Sequence, residues 1–156
     1  MEITNKPIDK KEFYAALDNP TAGAVVGFEG LVRNHNEGLS VDALEYEVFA
    51  SMALNEGKKI LSEALEQFNI SEIKATHREG RLNIGEAAVI VAAASSHRDA
   101  AFKACRYVID EIKHRLPIWK KEHYTNQPAE WVDCKGCYHH SHVDFSESDY
   151  IASMII

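Results

Sequence analysis

Three short segments hold the side chains of this chain best suited to chemistry on an anion: Val32-Arg33-Asn34-His35-Asn36, Ser95-Ser96-His97-Arg98-Asp99, and the run from Lys113 to Glu122. Arg33 follows an apolar stretch, and its planar guanidinium fork suits bidentate contact with phosphate. His97 and Arg98 open a helical pattern, where free backbone N–H groups and the positive dipole end favour a negative ligand. A solvent-facing Arg98 beside a locally bonded His97 is the alternative the dipeptide alone leaves open. Lys113 and Lys120 flank Pro117 seven residues apart, so the chain can turn back and bring both amines to one cavity. Leu116, Ile118 and Trp119 would keep that cavity dry. A lysine that is desolvated or set beside another cation can act as general acid, general base or nucleophile. Lys113 as a mere complement to the helix's negative end also stays open. Glu122 would orient Lys120 or pair with it.

The elements that must position these groups follow from the pattern of apolar residues and breakers. Asp9 caps a short helix over Lys10 to Leu17, broken at Asn19-Pro20. Gly23 to Val32 is an apolar strand, so Arg33 falls at a strand end, a usual place for binding residues. After a polar loop from Asn34 to Ser40, Ala43 to Phe49 reads as a second strand. Ser51 opens a long helix with Leu54, Lys58, Leu61, Leu65 and Phe68 on one face. Ile73, Ala75 and His77 alternate in a third strand, Gly80 to Gly85 is a turn, and Ala87 to Ala94 is apolar on both faces like a central strand. A second long helix starts at Ser96, three residues before Asp99 in capping-box spacing, and ends before Pro117. Trp119 to Tyr124 is extended, and Glu130 to Val132 adds a short strand. The mixture predicts an α+β domain with a mixed or largely antiparallel sheet and two long helices.

Composition narrows the function. The 156 residues are one domain's worth, 46% hydrophobic and 26% charged. A net charge of -7 argues against nucleic acid or a membrane surface as general partners. No apolar run reaches the ~20 residues of a membrane span, and the first residues lack a secretory build, so the expectation is a cytoplasmic protein. No phosphate loop, nucleophile elbow or His-Glu-x-x-His helix is present. Residues 134–156 change in composition to histidine, serine and acid and read as an appendage to a domain over 1–133. There Cys134, Cys137, His139 and His142 offer zinc-ligand types, but at spacings tighter than a usual finger, so the working expectation is no cofactor.

His97 and Lys113 stand sixteen residues apart on one helix, or ~24 Å at 1.5 Å per residue. No small substrate bridges that distance within a chain. Either the two sites are unrelated, or they meet across a two-fold interface, and the expectation is a homodimer with composite sites.

Taken together, Phe28 to Asn36, Ser96-His97-Arg98 and Lys113 through Glu122 resemble the catalytic large subunit of molybdopterin synthase, the MoaE family, over about residues 20–133. The resemblance implies an α/β hammerhead-type fold. It also implies a homodimer at the centre of a heterotetramer, with a small ubiquitin-like sulfur-carrier subunit (MoaD-like) docked at each end. The implied reaction is sulfurtransfer from the carrier's C-terminal thiocarboxylate to cyclic pyranopterin monophosphate, making the dithiolene of molybdopterin. By motif, Lys113 and Lys120 match the family's catalytic lysines, and Phe28 and Arg33 its pocket residues. His97 and Arg98 would meet the phosphate, with Glu122 in support. Two other readings use the same residues: a lysine-dependent Schiff-base lyase acting on a phosphorylated carbonyl compound, and a non-enzymatic docking module for a ubiquitin-like protein.

Overall fold

The structure, a computed structural model, describes residues 1–132. Its elements in order are β1 (Glu2–Thr4), α1 (Lys10–Ala15), β2 (Ala24–Leu31), β3 (His35–Asn36), β4 (Leu39–Val48), α2 (Ala50–Gln67), β5 (Glu72–Arg78), β6 (Gly80–Asn83), β7 (Ala87–Ser95), α3 (Arg98–Arg115), β8 (Ile118–Tyr124) and β9 (Glu130–Val132). The α+β expectation, the two long helices and the mixed, mainly antiparallel sheets all hold. The zinc-ligand types at Cys134, Cys137, His139 and His142, and the appendage from 134 onward, lie outside the described residues.

Two sheets share the work. The first runs β1-β5-β7-β2, parallel only between β1 and β5, and β7 is buried along its whole length, as its unbroken apolar run predicts. The second is built around β4, which pairs with β3 near its start, and with β6 and β8 on its two sides further on; β9 extends β8. Only Glu79 separates β5 in the first sheet from β6 in the second, and Gly80 makes that switch at φ 80°, a left-handed conformation open to glycine. Between the sheets a small core of Val32, Val41, Leu44, Leu82 and Ala88 fixes their mutual angle. The larger core lies where α2 and α3 cover the first sheet; α1 covers the opposite face through Phe13 and Leu17.

Four local expectations change. The buried face of α2 is Ala53, Gly57, Ile60 and Ala64, one residue back from the stripe read in sequence, while Leu65 is exposed. One residue is 100° of rotation. Small side chains let the helix approach its neighbours closely, and the bulkier Leu61 and Phe68 fill the flank. The second correction concerns α3, whose N-cap is His97, with no side-chain capping bond; Ser96 instead donates its hydroxyl to the Thr21 carbonyl at 3.5 Å. Residues 80–83 form strand β6 rather than a turn, leaving the turn to Ile84 and Gly85. Finally, the loop expected over 34–40 is a tight hairpin: Asn36 pairs with Leu39 across Glu37 and Gly38, which have φ of 48° and 82°. Positive φ at both central residues is the hairpin turn whose twist matches the flanking strands. Asp9 caps α1 as expected, its carboxylate accepting from the Glu12 N–H at 3.0 Å.

Candidate functional site

Where the two sheets meet, above the C-terminal half of α3, the fold leaves a cavity of about 330 Å³. Its apolar walls come from Leu44, Val89, Ile109, Ile112, Leu116 and Ile118. Into the same space come Arg33 from the end of β2, Asn36 from the hairpin, His77 from β5, Lys113 from the last turn of α3, and Lys120 and Glu122 from β8. The alternation of a strand explains the last pair: Lys120 and Glu122 face inward, while Trp119 and Lys121 face outward, Lys121 over the Trp131 ring at 5.4 Å. Pro117 performs the expected reversal, ending α3 and starting β8, so both lysines line one cavity.

Glu122 organises the polar side. It is 2% exposed and lies 2.8 Å from the Lys120 ammonium. It also accepts from the Tyr124 hydroxyl at 3.0 Å and from the Asn36 amide at 3.1 and 3.3 Å. Arg33 donates to the Asn36 carbonyl oxygen at 2.8 Å, so one chain of bonds runs from Arg33 through Asn36 and Glu122 to Lys120. Burial pushes the Glu122 carboxyl toward its neutral form. The hydrogen bond and charge of Lys120, with the bonds from Tyr124 and Asn36, outweigh it and hold its pKa below the ordinary value. Tyr124 pays the converse: burial and the neighbouring carboxylate push its phenol up to about 12. Lys113 differs from Lys120, being exposed at the cavity mouth with no ion-pair partner among the described residues. An exposed amine and an ion-paired one thus line the same cavity.

The remaining expected residues lie elsewhere on the chain. His97 and Arg98 are exposed at the start of α3, at the far end of that helix from the cavity. Phe28 lines a separate, open groove with Phe68, Phe102 and Tyr107, further toward the start of α3, and the groove shares only Ile109 with the cavity. Trp119 is 45% exposed and contributes nothing to the cavity's dryness, which Leu116 and Ile118 supply. Sequence reasoning passed over His77 and Tyr124. His77 was visible only as one position of an alternating strand, and nothing in its neighbours distinguishes it from a core residue. Among the described residues no cluster of His, Cys, Asp or Glu has the arrangement of a metal site, and no helix is long and apolar enough to cross a membrane.

The chain that builds this cavity is similar in sequence and fold to known proteins. The molybdopterin synthase catalytic subunit of Thermoplasma volcanium is 40% identical over 84% of this chain and 96% of its own. The crystal structure of molybdopterin synthase from Staphylococcus aureus superposes with a TM-score of 0.80 at 36% identity, covering 84% of this chain and 95% of that one. A protein-protein complex of subunits 1 and 2 of molybdopterin-converting factor from Helicobacter pylori contains the same fold at 21% identity and a TM-score of 0.69, over 88% of this chain and 92% of that one. The family model described as MoaE protein matches residues 3–115, and this chain belongs to that family.

Proposed function

We propose that this chain is the catalytic subunit of a molybdopterin synthase. It transfers sulfur from the thiocarboxylated C-terminus of a small ubiquitin-like carrier to cyclic pyranopterin monophosphate, building the dithiolene of molybdopterin. The observation that carries the reading is the convergence of Arg33, Lys113, Lys120 and Glu122 on one cavity. Arg33 supplies a fork for the substrate's phosphate or the carrier's carboxyl end. Lys120, held in place by Glu122, stabilises negative charge developing on the acyl oxygen of the carrier's C-terminus or on the attacked pterin. Lys113, with no ion-pair partner among the described residues, moves protons or holds the carrier's acyl end for part of the cycle. Sulfur must come from outside the described residues: Cys105, the one cysteine among them, is buried, and burial pushes its thiol up to about 11, far from a reactive thiolate.

A second copy completes the site in this proposal. β2 is an edge strand of the first sheet, with Val25 and Leu31 about half exposed along it. One end of β2 pairs with Ser95, next to the start of α3, and the other pairs with Ala87, beside Arg33 and the cavity. Antiparallel pairing of two β2 edges about a two-fold axis therefore sets His97 and Arg98 of one protomer beside the cavity of its partner. Eight strand residues span ~27 Å, which matches the ~24 Å that separates His97 from Lys113 along α3.

The test mixes the purified chain with thiocarboxylated carrier and cyclic pyranopterin monophosphate, and follows the pterin by mass spectrometry. Two sulfur additions are expected, dependent on both proteins. No sulfurated pterin, together with a borohydride-trapped adduct between the substrate and a lysine of this chain, would replace the proposal with a Schiff-base lyase.

A further inference from the structure

The cavity is rich in donors and short of acceptors. Arg33, Lys113 and Lys120 bring only N–H groups. A carboxylate has about four lone-pair sites, and those of Glu122 already meet Lys120, Tyr124 and both approaches of the Asn36 amide. The Asn36 carbonyl oxygen is taken by Arg33. His35, the exposed imidazole at the rim, shares its ring with bulk water.

His77 is the buried exception. It is 6% exposed, lines the cavity, and packs edge-on against Tyr46 with ring centroids 5.1 Å apart. Tyr46 in turn lies opposite Lys120 in the pairing of β4 with β8, so His77 is one side chain away from the fixed lysine. Its Nδ1 sits 2.7 Å from the Arg78 carbonyl oxygen. A carbonyl can only accept, so Nδ1 carries the proton and Nε2 keeps its lone pair. Burial, opposed in part by that backbone bond, lowers the imidazole to about 4 and keeps the ring neutral at physiological pH. No described side chain donates to Nε2.

We infer that His77 is a specificity-determining residue for the pterin, its Nε2 accepting a hydrogen bond from a ring N–H of the bound heterocycle. The cations take the phosphate end and His77 reads the ring end. A site built to receive a donor discriminates strongly against a ligand lacking it, because the buried acceptor is then left unpaired. The inference rests on the pterin of the proposed reaction, but binding can be measured apart from turnover.

Titration calorimetry of the intact protein with cyclic pyranopterin monophosphate tests it, using wild type, His77→Gln and His77→Phe. Glutamine places an amide oxygen near Nε2 and is expected to bind within about threefold of wild type, while phenylalanine binds roughly tenfold more weakly, a loss typical of one buried hydrogen bond. In turnover the phenylalanine variant should show that loss in KM, with kcat within about twofold. Should His77→Phe fail to fold, analogues in which each ring N–H in turn becomes CH2 read the same bond on wild type: one of them binds wild type about tenfold more weakly than the parent pterin, and binds His77→Ala no more weakly than the parent does. Equal binding by wild type and His77→Phe, or analogues that all bind wild type like the parent, overturns the inference. Wild type that binds the pterin with the expected pattern yet makes no dithiolene overturns the proposed reaction and leaves the role of His77 standing.

Discussion

Glu122 is the residue on which the site's electrostatics turn. Its carboxylate is nearly excluded from water and holds Lys120, Tyr124 and Asn36 at once. Glu122→Gln keeps the shape but turns one acceptor into a donor that faces donors, at a cost of about 1–3 kcal/mol. The sign with pH follows from the lowered pKa: the carboxylate stabilises the fold fully above its ordinary value of 4.5, and that contribution is lost as pH falls through the depressed value. Thermal unfolding between pH 3 and 7 should therefore fall more steeply toward acid in wild type than in Glu122→Gln, and parallel curves would deny the carboxylate that role. Sulfur transfer should drop by roughly 10²-fold, since Lys120 loses the group that fixes it. At this scale the sequence was legible for the charged residues, because Arg33, Lys113, Lys120 and Glu122 sit in tight local signatures around Pro117 and a strand end. His77, Asn36 and Tyr124 gain their roles from pairings between distant strands, and no local spacing reports those.

The hairpin of β3 and β4 is the element that joins Arg33 to Glu122. It carries Asn36, and its two-residue turn depends on Gly38 at φ 82°, next to Glu37 at 48°. Gly38 has nothing near the place a Cβ would occupy, so a substitution there acts through backbone conformation alone. Gly38→Val should destabilise the turn by about 1–2 kcal/mol and let Asn36 swing away from Glu122. The expected readout is a rise of several-fold in the KM for the pterin with an unfolding midpoint lowered by a few degrees; an unchanged KM would separate the hairpin from the site. The hairpin was read in sequence as a polar loop because Glu37-Gly38 lacks the Asn-Gly or Asp-Gly pair that usually marks such a turn. The misplaced face of α2 has a different cause. Ala53, Gly57 and Ala64 are too small to stand out in a hydrophobic stripe, yet close helix packing selects them. Long apolar β7 and the Pro117 break were plain, since their burial and termination follow from their own residues.

At the scale of the whole molecule, a single chain carries its cationic groups at two ends of α3. Exposed His97 and Arg98 stand at one end, and the cavity with its lysines at the other. In the proposed reaction a phosphorylated pterin would draw its contacts from both ends. Pairing of β2 edges about a two-fold axis would bring opposite ends together in two copies of the site. A complementation experiment reads this directly. Arg98→Ala should weaken the phosphate end and Lys113→Ala the reacting end, each homodimer retaining its fold and losing most turnover. In a heterodimer, one composite site holds both substitutions, and the other holds neither. Unfolding and refolding the two variants together should then restore up to about a quarter of wild-type activity, because random pairing makes half of the dimers mixed and each mixed dimer has one intact site. Activity that stays at the level of the separate variants would place both residues in the same site of a single protomer, or leave Arg98 outside it.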